Sequence, residues 1–317
     1  MLFYATRRLI QTIPVLFLVT VMAFTITMLL PGDPALAILG IEGARDKVAY
    51  QDLRRQLGLD EPVPIQYLRW LGRTITGDLG KSALNKQPVN EAILQRLPVT
   101  LELGLLSMIL SVVVAVPLGI YAAMHYNTVA DLITSIIAFA GVAMPGFWLA
   151  ILLIYLLTLY LSLLPGSGYV PFTVDPVGNL LHIAMPVVVL SFESVALLMR
   201  QVRSEMLDVL GQDYVRTARS KGLPDSTVLT RHALRNALLP LATIIGLRVA
   251  RILGGAVVIE NVFALPGLGR LAVQSIFNRD FPVLQAIVLV FALMVLVTNL
   301  LTDLLYSFID PRIRYEP

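Results

Sequence analysis

The sequence predicts an all-α polytopic membrane protein with six transmembrane helices. Hydrophobic residues make up 57% of the 317 residues and charged residues only 14%, whereas soluble domains contain about 45–50% apolar and about 25% charged residues. Apolar runs recur along the chain, each long enough to cross a hydrocarbon core of roughly 30 Å. The chain contains no cysteine, which excludes disulfides, thiol catalysis and cysteine-ligated metal sites.

Six apolar segments define the predicted spans. They are residues 9–30, 98–124, 132–161, 180–199, 238–262 and 283–309. The first is too long for the apolar core of a signal peptide, so we expect an uncleaved anchor. Pro117, Pro145 and Pro186 lie inside spans, where each removes a helix hydrogen bond and predicts a kink.

The spans divide the chain into four parts. Residues 1–30 form an N-terminal tip and the first span, and residues 31–97 form a long external segment. A five-helix core covers residues 98–309 and includes a cytoplasmic loop at 200–238, and residues 310–317 form a cytoplasmic tail.

Loop charge predicts the orientation. With the N-terminus inside, inner and outer segments hold 11 Lys and Arg residues each, and nine of the outer ones lie in segment 31–97. Loops longer than about 60 residues cross the membrane largely regardless of charge, so that segment is discounted. The remaining count, 11 inside against two outside, places both termini and the 200–238 loop in the cytoplasm.

The external segment contains apolar residues at helical spacing. They are Val48, Leu53, Leu57, Ile65, Leu68, Leu71 and Ile75. We expect two short amphipathic helices, packed on each other or lying near the membrane surface, where Trp70 would suit the interface.

Two glycine-containing stretches resemble nucleotide-binding motifs but lack the required context. GDLGKS (77–82) has Ile75 where a phosphate-binding loop requires glycine. GLGRLA (267–272) has no βαβ unit around it and is interpreted as a re-entrant or external turn. The three histidines lack the spacing of a metal site. The sequence therefore predicts no enzyme, no metal site and no nucleic-acid partner.

Glu193, Arg248 and Arg251 lie within predicted spans, where a charge costs about 2.5–3.5 kcal/mol. They either line a polar path for a substrate or form ion pairs between helices, and the sequence leaves both open. Arg248 and Arg251 share one helix face, which would suit carboxylate-bearing solutes. Three further acidic residues lie near span ends, where an ion pair between helices or contact with the membrane–water interface is the better explanation of their charge: Glu102, Glu260 and Asp303.

The cytoplasmic loop carries the stretch DYVRTARSKGLPDSTVLTRHALRNALLP (213–240). Helix formers followed by Gly222 and then Leu223-Pro224 predict a short helix that ends in a tight turn. A second helical stretch, STVLTRHALRNALL, leads into the fifth span. A solvated positive-inside loop explains the charge, but not the small residues beside a helix-ending glycine, which suit docking into a groove.

This loop resembles the cytoplasmic coupling loop of ABC importer permeases. Aligning on Gly222 puts Arg216, Thr217 and Ala218 on the Glu-Ala-Ala positions of the general consensus. The first two depart from it in a way similar to the dipeptide, oligopeptide and nickel branch of the family. Other stretches also resemble that branch: LPGDPA (30–35), LGLDEPVPIQYLRWL, GDLGKS, LPVTLELGL, ENVFALPGLGR, RDFPVLQ and NLLTDLLYSFIDPRIR. The resemblance covers essentially the whole chain and favours the first permease subunit, which carries the long external segment.

The resemblance implies that the chain forms half of a path for di- or oligopeptides in a bacterial inner membrane. The implied partners are a second related permease, two ATPase subunits that bind ATP and Mg²⁺, and an extracytoplasmic binding protein. The chain itself would hold no cofactor. Contact with an ATPase would be made by Tyr214, Arg216, Thr217, Ala218, Arg219, Ser220, Lys221 and Gly222. The basic residues would pair with acidic groove residues, the small ones would allow close approach, and the glycine would permit the turn.

Two alternatives stay open. A secondary transporter or channel working without ATPases predicts inverted repeats with interrupted helices in matching halves, and neither is clear in the sequence. A membrane anchor or assembly factor would leave the charges inside the spans without a purpose. Dipeptides, longer peptides, glutathione and nickel chelates are all compatible with the resemblance, and peptide is the default.

Overall fold

The computed structural model describes residues 2–29, 33, 35–36, 39–40, 45–224, 227–229, 234–237 and 239–309. The regular secondary structure of these residues is helical, apart from one isolated bridge between Lys81 and Pro88. The predicted all-α class is confirmed.

The helices are labelled in chain order. They are α1 (Leu2–Leu29), α2 (Lys47–Leu57), α3 (Val63–Ile75), α4 (Val89–Met124), α5 (Val129–Ala143), α6 (Gly146–Leu153), α7 (Pro176–Leu210), α8 (Asp213–Ser220), α9 (Leu239–Val262), α10 (Leu268–Phe277) and α11 (Phe281–Ile309). A π-helix (Ile154–Tyr160) continues α6, and one helical turn (Leu234–Ala237) precedes α9.

Three of these helices are long and apolar enough to cross a membrane: α4, α7 and the Phe281–Thr302 part of α11. Helices α5 and α6 pass the same test together, as a bent pair. The first and fifth predicted spans correspond to α1 and α9, but the apolar stretch of α1 with described side chains, Ile10–Ile26, is shorter than a span. The chain is an integral membrane protein, and the total of six spans stays a prediction.

The predicted third span is broken at Pro145. The chain bends by 102° between α5 and the helical segment Gly146–Tyr160. Met144, at the bend, has extended backbone angles (φ −84°, ψ 122°). Proline has no N–H to donate and disfavours helical geometry at the residue before it. The expected kink is thus confirmed as a full break, whereas α4 and α7 run through Pro117 and Pro186 without interruption.

The chain forms two compact units, one of which consists mainly of Leu101–Leu265. In that unit α7 is the central helix, and α5, α6 and α9 pack on it. Glycines allow the closest approaches: a Cβ added to Gly119 of α4 would lie 2.7 Å from the Met199 carbonyl oxygen, and one added to Gly141 of α5 would lie 2.5 Å from Ala196 Cβ. Small residues at contacts between membrane helices let the backbones come together in this way.

The other unit comprises Thr6–Thr100 and Pro266–Leu296. Its core includes Val89, Ala92, Ile93, Leu268, Leu271, Val283, Ala286 and Ile287. The two predicted amphipathic helices are confirmed as α2 and α3. Helix α3 packs on α1 through Tyr67 and Trp70, whose rings lie 5.6 and 5.8 Å from the ring of Phe24. Leu68 and Ile75 of the expected apolar stripe are 64% and 76% exposed, so they take no part in this contact, and their position near the membrane surface stays a prediction.

The GDLGKS stretch forms a turn around a buried aspartate. The Ser82 hydroxyl donates to Asp280 Oδ2 (2.5 Å), and the Ala83 N–H donates to Asp280 Oδ1 (3.0 Å). Gly77 and Gly80 both have φ of +83°, a left-handed conformation that favours glycine. The GLGRLA stretch, expected to be a turn, instead opens α10, and the Leu268 N–H donates to Thr100 Oγ1 (2.8 Å). These motifs fix long-range contacts in this unit.

We expect Asp280→Asn to lower the free energy of unfolding by about 1 kcal/mol, because it removes the charge from two buried hydrogen bonds. The matched control is Asp78→Asn, since Asp78 accepts one exposed hydrogen bond, from Gly80 N–H. Thermal unfolding of the purified chain in one detergent measures both. Equal stability of the two variants would contradict the assigned role of Asp280.

Candidate coupling and translocation site

Helix α8 follows α7 after only Gly211 and Gln212. It ends at Ser220, and Gly222 behind it has φ of +76° and donates its N–H to the Arg219 carbonyl oxygen (2.9 Å). The short helix and the glycine turn predicted for DYVRTARSKG are confirmed. The helical stretch predicted after them is described at 227–229 and 234–237 only, and the remainder lies outside the described residues.

The inner face of α8 is anchored to its own chain. Val215 and Ala218 are buried together with Val228 and pack against Val209 and Leu210. The small side chain at position 218, expected to allow close approach of a partner, therefore packs inward. Because Leu210 ends α7, this apolar contact fixes α8 to the end of the central helix.

The outer face of α8 and its turn is exposed and basic. The exposed residues are Tyr214, Arg216, Thr217, Arg219, Ser220, Lys221 and Gly222. The Arg216 side chain is 75% exposed, and its contact with Asp213 spans 3.8 Å. An ion pair of that length and exposure contributes little to stability, so Arg216 can exchange it for another acidic partner.

Two of the three charged residues predicted for the path meet in the structure. Arg251 Nη2 of α9 lies 2.7 Å from Glu193 Oε1 of α7, and the side chains are 65% and 42% exposed. Arg248 lies one turn earlier on α9 and is half-buried. The ion pair between helices is therefore present, and it lies on an exposed surface of this chain.

A cleft of about 180 Å³ lies beside the Glu193 side chain. It lies between the first turn of α6, the middle of α7 and the second half of α9, and Phe147, Phe192 and Ile259 supply apolar walls. The break at Pro145 is what places the start of α6 at this cleft. In the sequence, that proline within an apolar run was the only signal for it.

The acidic residues near the span ends are Glu102, Glu260 and Asp303. Glu102 accepts a hydrogen bond from the Tyr169 hydroxyl (2.6 Å). Burial and this hydrogen bond raise the pKa of the Tyr169 phenol, so Tyr169 stays protonated. Glu260 is fully buried, and the side chain of Asp303 lies outside the described residues.

Two of the histidines bond to the chain locally. His125 Nδ1 lies 2.9 Å from the Tyr121 carbonyl oxygen, and His182 Nδ1 lies 2.7 Å from that of Gly178; His232 lies outside the described residues. Within the described ranges, no group of His, Asp and Glu side chains could hold a metal ion.

An ion pair between Asp131 and Arg203 was not predicted. Arg203 donates from Nε and Nη2 to the two Asp131 oxygens (2.5 and 2.8 Å). The Asn127 N–H donates to Asp131 Oδ2 (3.1 Å), and the Arg203 guanidinium lies 5.4 Å from the centre of the Tyr126 ring. This pair ties the first turn of α5 to the last turns of α7, close in sequence to α8. An acidic residue in the first turn of a helix is common, so the sequence gives no signal for the pair.

The described residues thus form a helical membrane protein with a span broken at Pro145 and a short basic helix, α8, between two long helices. The chain belongs to the family of binding-protein-dependent transport system inner membrane components, whose model matches residues 115–315. A second model, for the N-terminal part of these membrane components, matches residues 1–104. Together they confirm the resemblance seen in the sequence.

Related proteins are similar in sequence to this chain over almost its full length. A protein assigned as a peptide transport system permease in Brucella abortus is 44% identical over 310 residues, 98% of each chain. The oligopeptide transport system permease protein AppB of Bacillus subtilis is 41% identical over 320 residues, 98% of this chain and 99% of that protein. The crystal structure of an amino acid ABC transporter with histidines matches 68% of this chain and 94% of its own, with a TM-score of 0.50 and 19% identity. That likeness shows a shared fold.

Proposed function

We propose that the chain forms half of a translocation path for short peptides, together with a second related permease. Two ATPase subunits that bind ATP and Mg²⁺ drive transport, and an extracytoplasmic binding protein delivers the peptide. The family description supports the binding protein, and the peptide permeases among the relatives support the substrate class. Both termini and α8 lie in the cytoplasm, which is supported by the excess of basic residues in the inner segments.

The observation that carries this proposal is the division of α8 into an anchored face and an exposed basic face. Val215 and Ala218 hold it to the end of α7, so a partner that displaces α8 also moves α7. Arg216, Arg219 and Lys221 pair with acidic residues of an ATPase groove. The remaining exposed side chains, Tyr214, Thr217 and Ser220, line the contact, and Gly222 makes the turn away from it.

The other end of the proposed path lies at the ion pair of α7 and α9. Glu193, Arg248 and Arg251 face the peptide, whose ends carry an ammonium and a carboxylate group. In the absence of peptide, Glu193 and Arg251 neutralise each other, which reduces the cost of keeping both charges inside a membrane protein. Arg248 is left to contact the carboxylate end.

The test is ATP hydrolysis and peptide uptake by the complex reconstituted with its partner permease, ATPases and binding protein. We expect Arg216→Glu combined with Lys221→Glu to abolish the rise in hydrolysis caused by loaded binding protein, because the reversed charges face an acidic groove. Gly222→Pro should act in the same direction, since proline fixes φ near −65° and Gly222 has φ of +76°. A dipeptide and a longer peptide are compared as substrates.

The matched control is Arg73→Glu, a charge reversal on the exposed surface of α3. The rise in ATP hydrolysis that loaded binding protein causes in this variant should equal that of the wild type. The abundance of each variant in the membrane shows whether it inserts. Normal uptake and hydrolysis by the double variant would mean that the loop is only a positive-inside loop.

A further inference from the structure

A second cleft, of about 240 Å³, lies between α4, α5 and α7. Its polar lining consists of Arg200 and Arg203 from α7 and of Thr134 and Ser135 from α5. Its apolar lining consists of Ala122, Ala138, Phe139 and Met199. The proposed function uses none of these residues, so the cleft needs an explanation of its own.

The polar and apolar parts of the cleft lie at different depths. Two contacts fix the antiparallel register of α5 and α7: the Asp131–Arg203 ion pair and the close approach of Gly141 to Ala196. Between them, Ser135 lies near the arginines. Phe139 follows Ser135 by four residues, about 6 Å farther from the ion pair along the helix axis. The cleft is therefore basic at one end and apolar at the other.

By the predicted spans and orientation, the basic end lies at the inner boundary of the membrane. Arg200 directly follows the predicted fourth span (180–199), and Asp131 directly precedes the predicted third span (132–161). The apolar end, with Phe139 68% exposed, lies within the span. Basic pockets between membrane helices on the cytoplasmic side are places where acidic lipid headgroups bind.

Hydrogen-bond donors at the basic end are available to an anion. Arg203 uses Nε and Nη2 for Asp131, and within the described part of the chain its Nη1 has no acceptor. The same holds for the Arg200 guanidinium and the Ser135 hydroxyl. Asp131 balances the charge of Arg203, so Arg200 supplies the positive charge of the cleft that a phosphodiester would meet.

We propose that this cleft binds one anionic phospholipid of the inner leaflet. The phosphate lies between Arg200 and Ser135, and one acyl chain follows Phe139 into the membrane. The Asp131–Arg203 ion pair holds the wall of the site in place. This proposal does not depend on which solute the permease carries, and its test reads lipid binding alone.

The experiment is native mass spectrometry of the full chain in detergent, titrated with phosphatidylglycerol or with phosphatidylcholine of the same acyl chains. We expect one phosphatidylglycerol to bind at least about tenfold more tightly than phosphatidylcholine. Arg200→Gln should weaken this binding about tenfold by removing a charge-assisted contact, and Arg200→Lys should retain most of it. Ser135→Phe should weaken it by filling the cleft, and Arg73→Gln serves as the control that removes one exposed arginine elsewhere.

Three outcomes would overturn the proposal. The first is unchanged phosphatidylglycerol binding by the Arg200→Gln variant. Because Arg200 is exposed, this variant should fold. The second is equal binding of the two lipids by the wild type. The third is displacement of phosphatidylglycerol by millimolar glycerol phosphate, which has the same anionic group without acyl chains and would make the cleft a site for a soluble anion.

Discussion

Replacing Asp131 with alanine is expected to lower the free energy of unfolding by about 3 kcal/mol, toward the lower end of the range for a broken buried ion pair. The Asp131 side chain is only 8% exposed and that of Arg203 25%, so the variant leaves a largely buried guanidinium without its carboxylate. The Asn127 N–H would lose its acceptor as well. Thermal unfolding of the full chain in one detergent, together with its abundance in the membrane, measures the effect.

An exposed ion pair provides the control for this experiment. Arg69 Nη2 lies 2.7 Å from Glu61 Oε1, but these side chains are 48% and 33% exposed, so Arg69→Ala should cost no more than about 1 kcal/mol. The charge swap Asp131→Arg with Arg203→Asp should recover part of the lost stability. If the Asp131 and Arg69 variants lose equal stability, the buried pair does not hold α5 to α7 as described.

Gly119→Ala is expected to destabilise the chain relative to Gly254→Ala by about 2–3 kcal/mol. A methyl group on Gly119 would lie 2.7 Å from both the Met199 carbonyl oxygen and Val202 Cβ of α7, so the helices would have to move apart. Overpacking of this kind typically costs about 1–3 kcal/mol. At Gly254 of α9 no atom lies within 4 Å of the added methyl, and alanine there should be neutral or stabilising by up to about 1 kcal/mol.

The comparison of these two variants cancels the helix preference of alanine, since both glycines lie inside long helices. Apparent melting temperatures in one detergent rank the stabilities of the variants. Gly141→Ala should lower the melting temperature about as much as Gly119→Ala, because its methyl group would lie 2.5 Å from Ala196 Cβ. Equal melting temperatures for the Gly119 and Gly254 variants would show that α4 and α7 can separate without cost.

The sequence by itself determined the features that depend on neighbouring residues. Apolar runs predicted the long helices, because a helix crossing a membrane must satisfy its backbone internally and present apolar side chains to lipid. Pro117, Pro145 and Pro186 each predicted a kink because proline removes an N–H from its own turn, but that the helix breaks only at Pro145 among these three was decided by the tertiary structure. The helix ending before Gly222 followed from local propensity and the glycine turn. The quoted motifs also sufficed for the family.

Only the tertiary structure decided which side chains meet. The sequence placed Ala218 on a partner surface, whereas Val228 and the end of α7 cover it. Glu193 with Arg251, Asp131 with Arg203, and Ser82 with Asp280 are each far apart along the chain. Helical periodicity shows that residues share a face, but which face turns toward which neighbour is set by packing among several helices. Charge pairing and close glycine contacts follow from that packing, so they appear only once the helices are assembled.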